Sequence, residues 1–596
     1  MKRAALLALT LLAACSRRPP PSLLLVSIDT LRADAVSAWG REIGTTPHLD
    51  ALAAEGTRFA NATGVTPLTL PAHASLLTGL RPARHGLTVN GAAGSLPVPT
   101  IAQRLAERGY ATAAFVSASV LAARFGVSAG FQHYDDELHV PGGPPAPTER
   151  RGDATVDAAL AWAGWSAPSF CAWVHLYDPH APYAAPGGHA GQDRQAYLDE
   201  VRFADSELAR LLDGVAARAR GEVLVVVVSD HGEGLGEHGE ATHGLLLHEA
   251  TMHVPLVMAW LNGGEGFPRA GEVRTDVVSL LDVAPTVAEV LGLPPEPDLD
   301  GSSVVQPRPG RALPLEARAP WVYYGFSPLV GVRRDGTKLV GAPEARPPGW
   351  IRYDLVADPG ETAGVPAAQD PLCAAAPDPH PAHEAAAAMS DADLAALGYV
   401  SARPPAPSAG PHDDPRLRMD LIAALDAANT DVVEGRPQAV LDRLPAPGAP
   451  DGDVPEVLLQ RGRALRALGR LDEAVASLRR AAASRPGPEL LTELGAALLQ
   501  REQAQDGDGA QAAAALDAAL ALAPDDPHAL ALRGLCELLA GKPQAALDRV
   551  QAALQRSPRD GELLLVQLRA LRGLQRDDRA AAEALRAVWP DCPELR

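Results

Sequence analysis

The chain has little of what marks several large protein classes. Its 596 residues include five cysteines, Cys15, Cys171, Cys373, Cys536 and Cys592. They are scattered, with no CxxC spacing, which excludes a zinc ribbon or a disulfide framework as the organising element. Aromatic residues make up only 4%. Positive charge is in deficit: 53 Lys and Arg stand against 73 Asp and Glu, a formal net charge of −20. Phosphate backbones need a basic footprint, so no nucleic-acid partner is expected. Beyond residue 15 no apolar run approaches the roughly 20 residues of a membrane span.

What is present is apolar residue enough, 47%, for a large core, and length enough for more than one domain. With the whole chain acidic, an anionic substrate has to be drawn in locally, by a metal and histidines. Residues 1–15 have the pattern of a secretory signal, with Lys2 and Arg3 before an apolar stretch and then Leu12-Ala13-Ala14-Cys15. That ending is similar to a bacterial lipobox. It implies lipidation at Cys15, contact with the membrane through the lipid alone, and a place in the bacterial cell envelope facing the periplasm or exterior. Residues 16–22 then serve as a short tether.

Two nearly continuous apolar runs, residues 23–28 and 223–228, end in Asp29 and in Asp230-His231. Such runs predict strands buried on both faces, hence a parallel sheet. Ligands of open α/β sheets sit beyond the carboxyl ends of the strands, where these three residues fall. Asp29, Asp230 and His231 form a hard, mixed oxygen and nitrogen ligand set for a divalent metal. Between them in sequence, the segment Thr66 to Gly79 presents one alcohol, Thr69, on a turn stiffened by Pro71 at the start of a predicted helix. Helix N-termini favour anions. A metal that binds the Thr69 hydroxyl lowers its pKa, which an isolated alcohol needs before it can attack.

The remaining pattern is alternating α/β. Residues 101–109 read as a helix, 111–117 and 170–177 as strands, 140–147 as a Pro/Gly loop, and 321–356 as short strands with turns. Glu233, Glu237 and His238 are expected to shape a loop; His248, Glu249 and His253 are expected on an exposed helix face.

These residues carry a resemblance. Val26-Ser27-Ile28-Asp29-Thr30, the segment Thr69 to Gly79, Arg81-Pro82-Ala83-Arg84-His85-Gly86, His175 to Tyr183, Ser229 to Gly239, Leu281 to Thr286 and Tyr353 to Thr362 resemble, in order and spacing, the sulfatase branch of the alkaline phosphatase superfamily. The resemblance covers residues 22–400. It implies a sandwich with a central, mostly parallel sheet, a small C-terminal sheet subdomain and a metal-dependent ester hydrolase. One departure stands out: typical sulfatases carry Cys-x-Pro-x-Arg, with the Cys oxidised to formylglycine, whereas this chain has Thr69-Leu70-Pro71-Ala72-His73. Threonine cannot become formylglycine. Thr-x-Pro-x-His is instead similar to the phosphodiesterase and phosphonate-cleaving branches, which form a covalent phosphothreonine.

By the same resemblance, His180 and His243 are expected to bind a non-bridging oxygen or protonate the leaving group, Asn90 to contact phosphate, His73 and His175 to line the substrate side, with His73, in place of the usual Arg, orienting the Thr69 loop, and Thr69 to join the metal. Thr30 stands where many sulfatases carry a second Asp, so one ion of Mn²⁺, Zn²⁺ or Mg²⁺ is expected over Ca²⁺. Residues 401–416 read as a Pro-rich linker. In 417–596, Gly462, Ala474, Ala481 and Pro486 recur as Gly534, Ala546, Ala553 and Pro558, with Ala512, Ala519 and Pro524 between them. This predicts an all-α, tetratricopeptide-like solenoid, with an insertion near residues 503–509 and a protein partner. The expected activity is cleavage of an anionic phosphate or related ester through a Thr69 ester. Two alternatives stay open: a sulfuric ester hydrolase acting without formylglycine, and a repeat protein whose hydrolase-like domain binds without turnover.

Overall fold

A computed structural model describes residues 19–40, 44–138, 148–345, 349–378, 380, 386–387 and 412–595, apart from 506, 557, 559 and 591. The expected signal segment with Cys15, the loop 140–147 and linker residues 401–411 lie outside the described residues. These divide into two compact units, one reaching through Met419 and the other starting at Asp420.

In the first unit the strands are β1 (Ser22–Ile28), β2 (Gly56–Thr63), β3 (Ala92–Ala93), β4 (Ala111–Phe115), β5 (His133–Asp135), β6 (Phe170–Leu176), β7 (Val223–Val228), β8 (His253–Val254), β9 (Leu256–Leu261) and β10 (Glu272–Ser279). The main sheet runs β10-β2-β9-β7-β1-β6-β4-β5, with β8 beside β2. β1 lies between β6 and β7 and is parallel to both. β9 is antiparallel to its neighbours. Every residue of β1, β6 and β7 is buried, which accounts for their unbroken apolar runs. Helices cover the sheet, among them α1 (Thr69–Thr78) and α2 (Arg194–Arg218). All ten residues of α1 are buried, so it carries no charged face. Pro71 falls in its first turn, where a missing N–H costs little. Gly79, at φ 79°, ends it by donating its N–H to Ser75 O.

A second sheet, β11 (Leu313–Ala317), β12 (Leu329–Arg334), β13 (Thr337–Ala342), β14 (Gly349–Asp354) and β15 (Val365–Pro366), is antiparallel throughout. The expected strand region 321–356 is corrected at its start: Ala319–Tyr324 is a helix, opened by Pro320 and ended by Gly325 at φ 63°. His248 and Glu249 are also corrected, since His248 is buried and Glu249 is mostly covered rather than exposed. Charged residues at that spacing read as solvated. Here the wholly buried ammonium of Lys338 lies 3.0 Å from Glu249 and 2.7 Å from Glu361, so burial leaves neither carboxylate unpaired. The end of the expected linker packs on this unit: Arg416 donates to Val340 O and Gly349 O, and Ser327 N–H to Asp413 O.

The second unit is helical. Pro455–Ala467 with Leu471–Ser484, Pro488–Gln505 with Gly509–Leu522, and Pro527–Leu539 with Pro543–Arg556 are three successive helix pairs. The recurring alanines Ala474, Ala481, Ala512, Ala519, Ala546 and Ala553 are all buried. A glycine recurs at the same place in each first helix. A Cβ on Gly462, Gly495 or Gly534 would meet Leu478, Leu516 or Val566 at 2.6, 2.5 and 2.8 Å. The extra residues of the middle pair mostly lengthen its first helix, which runs on to Gln505.

Gly462→Val should overpack this contact and destabilise the helical unit by about 1–3 kcal/mol, against a near-neutral Gly487→Ala, where a Cβ meets nothing within 4 Å. Denaturant unfolding followed by circular dichroism checks it; equal midpoints for the two variants would refute the close packing.

Candidate functional site

The strand register builds the site. Ser27 of β1 lies beside His175 of β6 and Val228 of β7, so Asp29 and Asp230-His231 leave adjacent strands at the same edge. Asp29, Asp230 and His231 are fully buried, and one ligand atom from each lies within 4.8 Å of the others.

In each of the three, one side-chain atom is tied back. Asp29 Oδ2 accepts from Nε2 of His175 at 3.1 Å. Asp230 Oδ1 accepts the N–H groups of His231 at 2.9 Å and Thr30 at 3.3 Å. His231 Nδ1 donates to Gly232 O at 3.0 Å. The opposite atoms converge. His231 Nε2 lies 3.9 Å from Asp29 Oδ1 and 3.4 Å from Asp230 Oδ2, and neither oxygen has a hydrogen-bond partner among the described residues. Two carboxylate oxygens and an imidazole lone pair pointing together lack only a cation, and the donor set fits a divalent metal. Burial pushes the Asp29 carboxyl up to about 7, against the pull of His231. Burial and the Asp29 charge likewise raise Asp230. Burial lowers His231, but the two carboxylates outweigh it and leave it raised.

Thr69 is the first residue of α1, and its Oγ1 lies 3.4 Å from His231 Nε2. The amides following it are committed: Leu70 N–H donates to Asn90 Oδ1 at 2.9 Å, Pro71 has no N–H, and Ala72 N–H donates to Leu68 O. The expected anion-binding helix start is therefore replaced by Asn90, whose buried Nδ2 has no partner among the described residues.

His73 and His175 were expected on the substrate side. Both are fully buried and face inward. His73 donates from Nδ1 to Thr69 O at 2.8 Å, and Ser27 Oγ, itself receiving the Trp173 indole N–H, lies 2.9 Å from His73 Nε2. His175 receives Ser117 N–H at Nδ1 while holding Asp29. Burial holds both rings near 4, so both are neutral. Each thus steadies another group: His73 the Thr69 backbone, His175 the Asp29 carboxylate.

His180 and His243 form a further wall. His180 stacks on Tyr177 with ring centroids 4.2 Å apart, and donates from Nδ1 to Ala181 O. Its buried Nε2 has no partner among the described residues. Burial, with His243 beside it, lowers His180 to about 3. His243 lies 4.5 Å from His231 and 4.9 Å from His180 between ring centroids. Asp178 is turned away, accepting Gly152 N–H at 2.8 Å. Sequence reasoning passed over Ser27, whose polarity inside an apolar strand was a readable signal, and read Glu233 only as shaping a loop.

Residues 21–293 match the family described as Sulfatase. Similar proteins include choline-sulfatase of Rhizobium meliloti (strain 1021), 25% identical over 436 residues, 58% of this chain and 82% of that one. Mouse steryl-sulfatase is 37% identical over 105 residues, 16% of this chain and 17% of that one. A solved phosphonate monoester hydrolase of Agrobacterium radiobacter matches with 21% identity over 60% of this chain and 93% of that one, at a TM-score of 0.48. Within the first unit, residues 21–293 are thus similar to sulfatase-family hydrolases.

A divalent ion has to displace the proton that burial holds on Asp29. Because that pKa is raised to about 7, the proton competes below neutrality and not above it. Affinity for Mn²⁺ or Zn²⁺ should fall as pH drops through neutrality, by about tenfold per pH unit or more, because Asp230 and His231, also raised, must shed protons as well. Competition against a fluorescent chelator reads this; a flat profile across that range would place the ion elsewhere.

Proposed function

We propose that the first unit is a metal-dependent hydrolase or transferase in which Thr69 attacks a phosphate or related ester and carries the group as a covalent Thr69 ester. The observation that supports it most is the placement of the buried Thr69 hydroxyl, 3.4 Å from the lone-pair nitrogen of His231. A divalent ion held by Asp29, Asp230 and His231, of which Mn²⁺, Zn²⁺ or Mg²⁺ are preferred, supplies positive charge that lowers the pKa of a neighbouring hydroxyl.

The protein's own residues do the rest. His73 holds the Thr69 carbonyl and so the start of α1. Asn90 offers Nδ2 to a non-bridging oxygen. His243 or His180 meets the departing oxygen. In the first displacement the Thr69 Oγ–P bond forms as the ester O–P bond breaks. In the second, water or an acceptor alcohol forms the new O–P bond as Oγ leaves.

A sulfuric ester hydrolase acting without formylglycine is the second reading, favoured by the sulfatase relatives. A domain that binds without turnover is the third, and the complete ligand set argues against it. The reading extends to the rest of the chain through its sequence patterns: lipidation at Cys15, a place in the bacterial cell envelope, and a protein partner for tetratricopeptide-like repeats in 417–596.

Thr69→Ala should reduce turnover of 4-nitrophenyl phosphodiesters, phosphate monoesters and sulfate by roughly 10³-fold or more while metal content and unfolding midpoint stay unchanged. Intact-mass analysis of rapidly quenched wild-type protein should find the group added on Thr69. Activity retained in the variant would rule the nucleophile out, and sulfate turnover alone would move the assignment to the second reading.

A further inference from the structure

One buried carboxylate beside this site has no part in the steps above. Glu233 lies two residues beyond His231 and is fully buried. Its Oε1 is 3.2 Å from Nδ1 of His243, with both side chains out of solvent. Oε1 also accepts the Gly234 N–H at 3.2 Å, and Oε2 accepts the Tyr183 hydroxyl at 3.1 Å. Tyr183 packs edge-on against Tyr197, centroids 5.6 Å apart. The Tyr197 hydroxyl, on α2, accepts Arg32 N–H and donates to Thr30 O. The carboxylate is therefore fixed on both oxygens, and its anchor runs back to the exit of β1.

His243 is held from the other side. Gly234 N–H donates to Thr242 O and Gly236 N–H to Glu240 O, closing the loop between Glu233 and His243. The buried Glu240 carboxylate accepts Leu245 and Leu246 N–H just beyond. The ring so placed lies against His231, whose Nε2 is 3.4 Å from Thr69 Oγ1.

Gly234 N–H and the Tyr183 hydroxyl already donate to the two oxygens of Glu233, so Glu233 meets Nδ1 as an acceptor, which fixes the proton there and puts the ring's lone pair on Nε2. We infer that Glu233 is a positioning residue: by accepting from Nδ1–H it holds His243 in one tautomer and one ring angle, so that Nε2 serves the ester oxygens. This rests on the Thr69 reading. Before the first displacement the Nε2 lone pair of His243 takes a proton from solvent, and the ring then gives that proton to the departing oxygen as its bond to phosphorus breaks. In the second, Nε2 takes the proton of the incoming water or alcohol as the new O–P bond forms. Thr69 loses its proton to solvent in the first displacement and regains one in the second. Glu233 keeps the Nδ1–H throughout and exchanges no proton, the arrangement in which an acid fixes a histidine without being protonated itself.

The test is a double-mutant cycle in the full chain loaded with Mn²⁺, with Glu233→Ala, His243→Ala and both together. The substrates are the phosphodiester that releases 4-nitrophenol and the one that releases unsubstituted phenol. A nitrophenolate departs without a proton, so the effect should follow the leaving group. Each single variant should slow first-turnover release of phenol, which reports the first displacement alone, on the order of 10²-fold, with a loss of less than about fivefold in first-turnover release of nitrophenol. The double variant should match His243→Ala, because Glu233 acts through that ring. Additive losses, or equal losses on both esters, would overturn the inference and leave Glu233 a structural carboxylate. Glu233→Gln replaces Glu233→Ala if the latter does not fold.

A readout without substrate separates this inference from the reading beneath it. If the wild-type protein turns over neither ester, the Thr69 reading fails, and ¹⁵N-imidazole NMR of the histidine-labelled chain still decides the positioning. The His243 signal, assigned by its loss in His243→Gln, should show the Nδ1–H tautomer and change in Glu233→Ala. An Nε2–H tautomer, or a signal indifferent to Glu233, would overturn the inference.

Discussion

Three lone-pair-bearing atoms brought to one buried point is the constraint on which the rest of the site depends. Parallel pairing of β1 with β7 places Asp29 and Asp230-His231 side by side, and full burial removes the water that would otherwise solvate them. Each residue spends its other polar atom on a fixed donor or acceptor: His175 for Asp29, backbone N–H groups for Asp230, a carbonyl for His231. None can rotate away without leaving a buried polar group unsatisfied, which costs about 1–3 kcal/mol each. The convergence is thus enforced from behind, and a cation is the partner that relieves it.

The same logic explains why so many histidines at this site are neutral. His73 and His175 sit beneath the ligands as hydrogen-bonded struts, where a charged ring would face its own desolvation. The chain Trp173 N–H to Ser27 hydroxyl to His73 to Thr69 carbonyl carries the position of a central strand to the first residue of α1. Thr69 is located by this polar pin and by Asn90 at Leu70 N–H, so the start of α1 serves to orient the alcohol rather than to gather an anion with its amides.

Much of the fold was legible because β1 and β7 are buried on both faces and so lack polar residues nearly throughout; the unbroken runs and their terminal Asp residues located the sheet edge. The helix pairs were legible through small residues recurring at fixed offsets, since Gly462 and Gly534 sit where a neighbouring helix leaves no room for a Cβ. What escaped was set by tertiary partners. His248 and Glu249 read as a solvated face until Lys338, from a strand distant in sequence, is brought against Glu249 and Glu361. The inward turn of His73 and His175 is likewise invisible in one dimension, because it depends on Ser27, Trp173 and Ser117 meeting across strands. Glu233 carries the same lesson: its meaning lies in Tyr183 and His243, which only the folded loop places against its two oxygens.

Threonine at position 69 constrains the chemistry further than the ligands do. A formylglycine hydrate bears two hydroxyls on one carbon, so after one is esterified the other can expel the group by reforming the aldehyde. Threonine has a single oxygen. Once Thr69 carries a group, release requires a second attack at the transferred atom itself, with Oγ as leaving group. That demands access for a nucleophile opposite Oγ and a proton acceptor for it, and it makes water and another alcohol equivalent in principle. A phosphorus centre tolerates such a double displacement more readily than a sulfate ester of a secondary alcohol, whose easier route is cleavage at carbon. Under the proposed Thr69 reaction, substrate preference is therefore tied to the placement of His180 and His243 around the incoming oxygen, and the orientation of the His243 ring carries weight in a site whose candidate metal ligands alone would serve either ester.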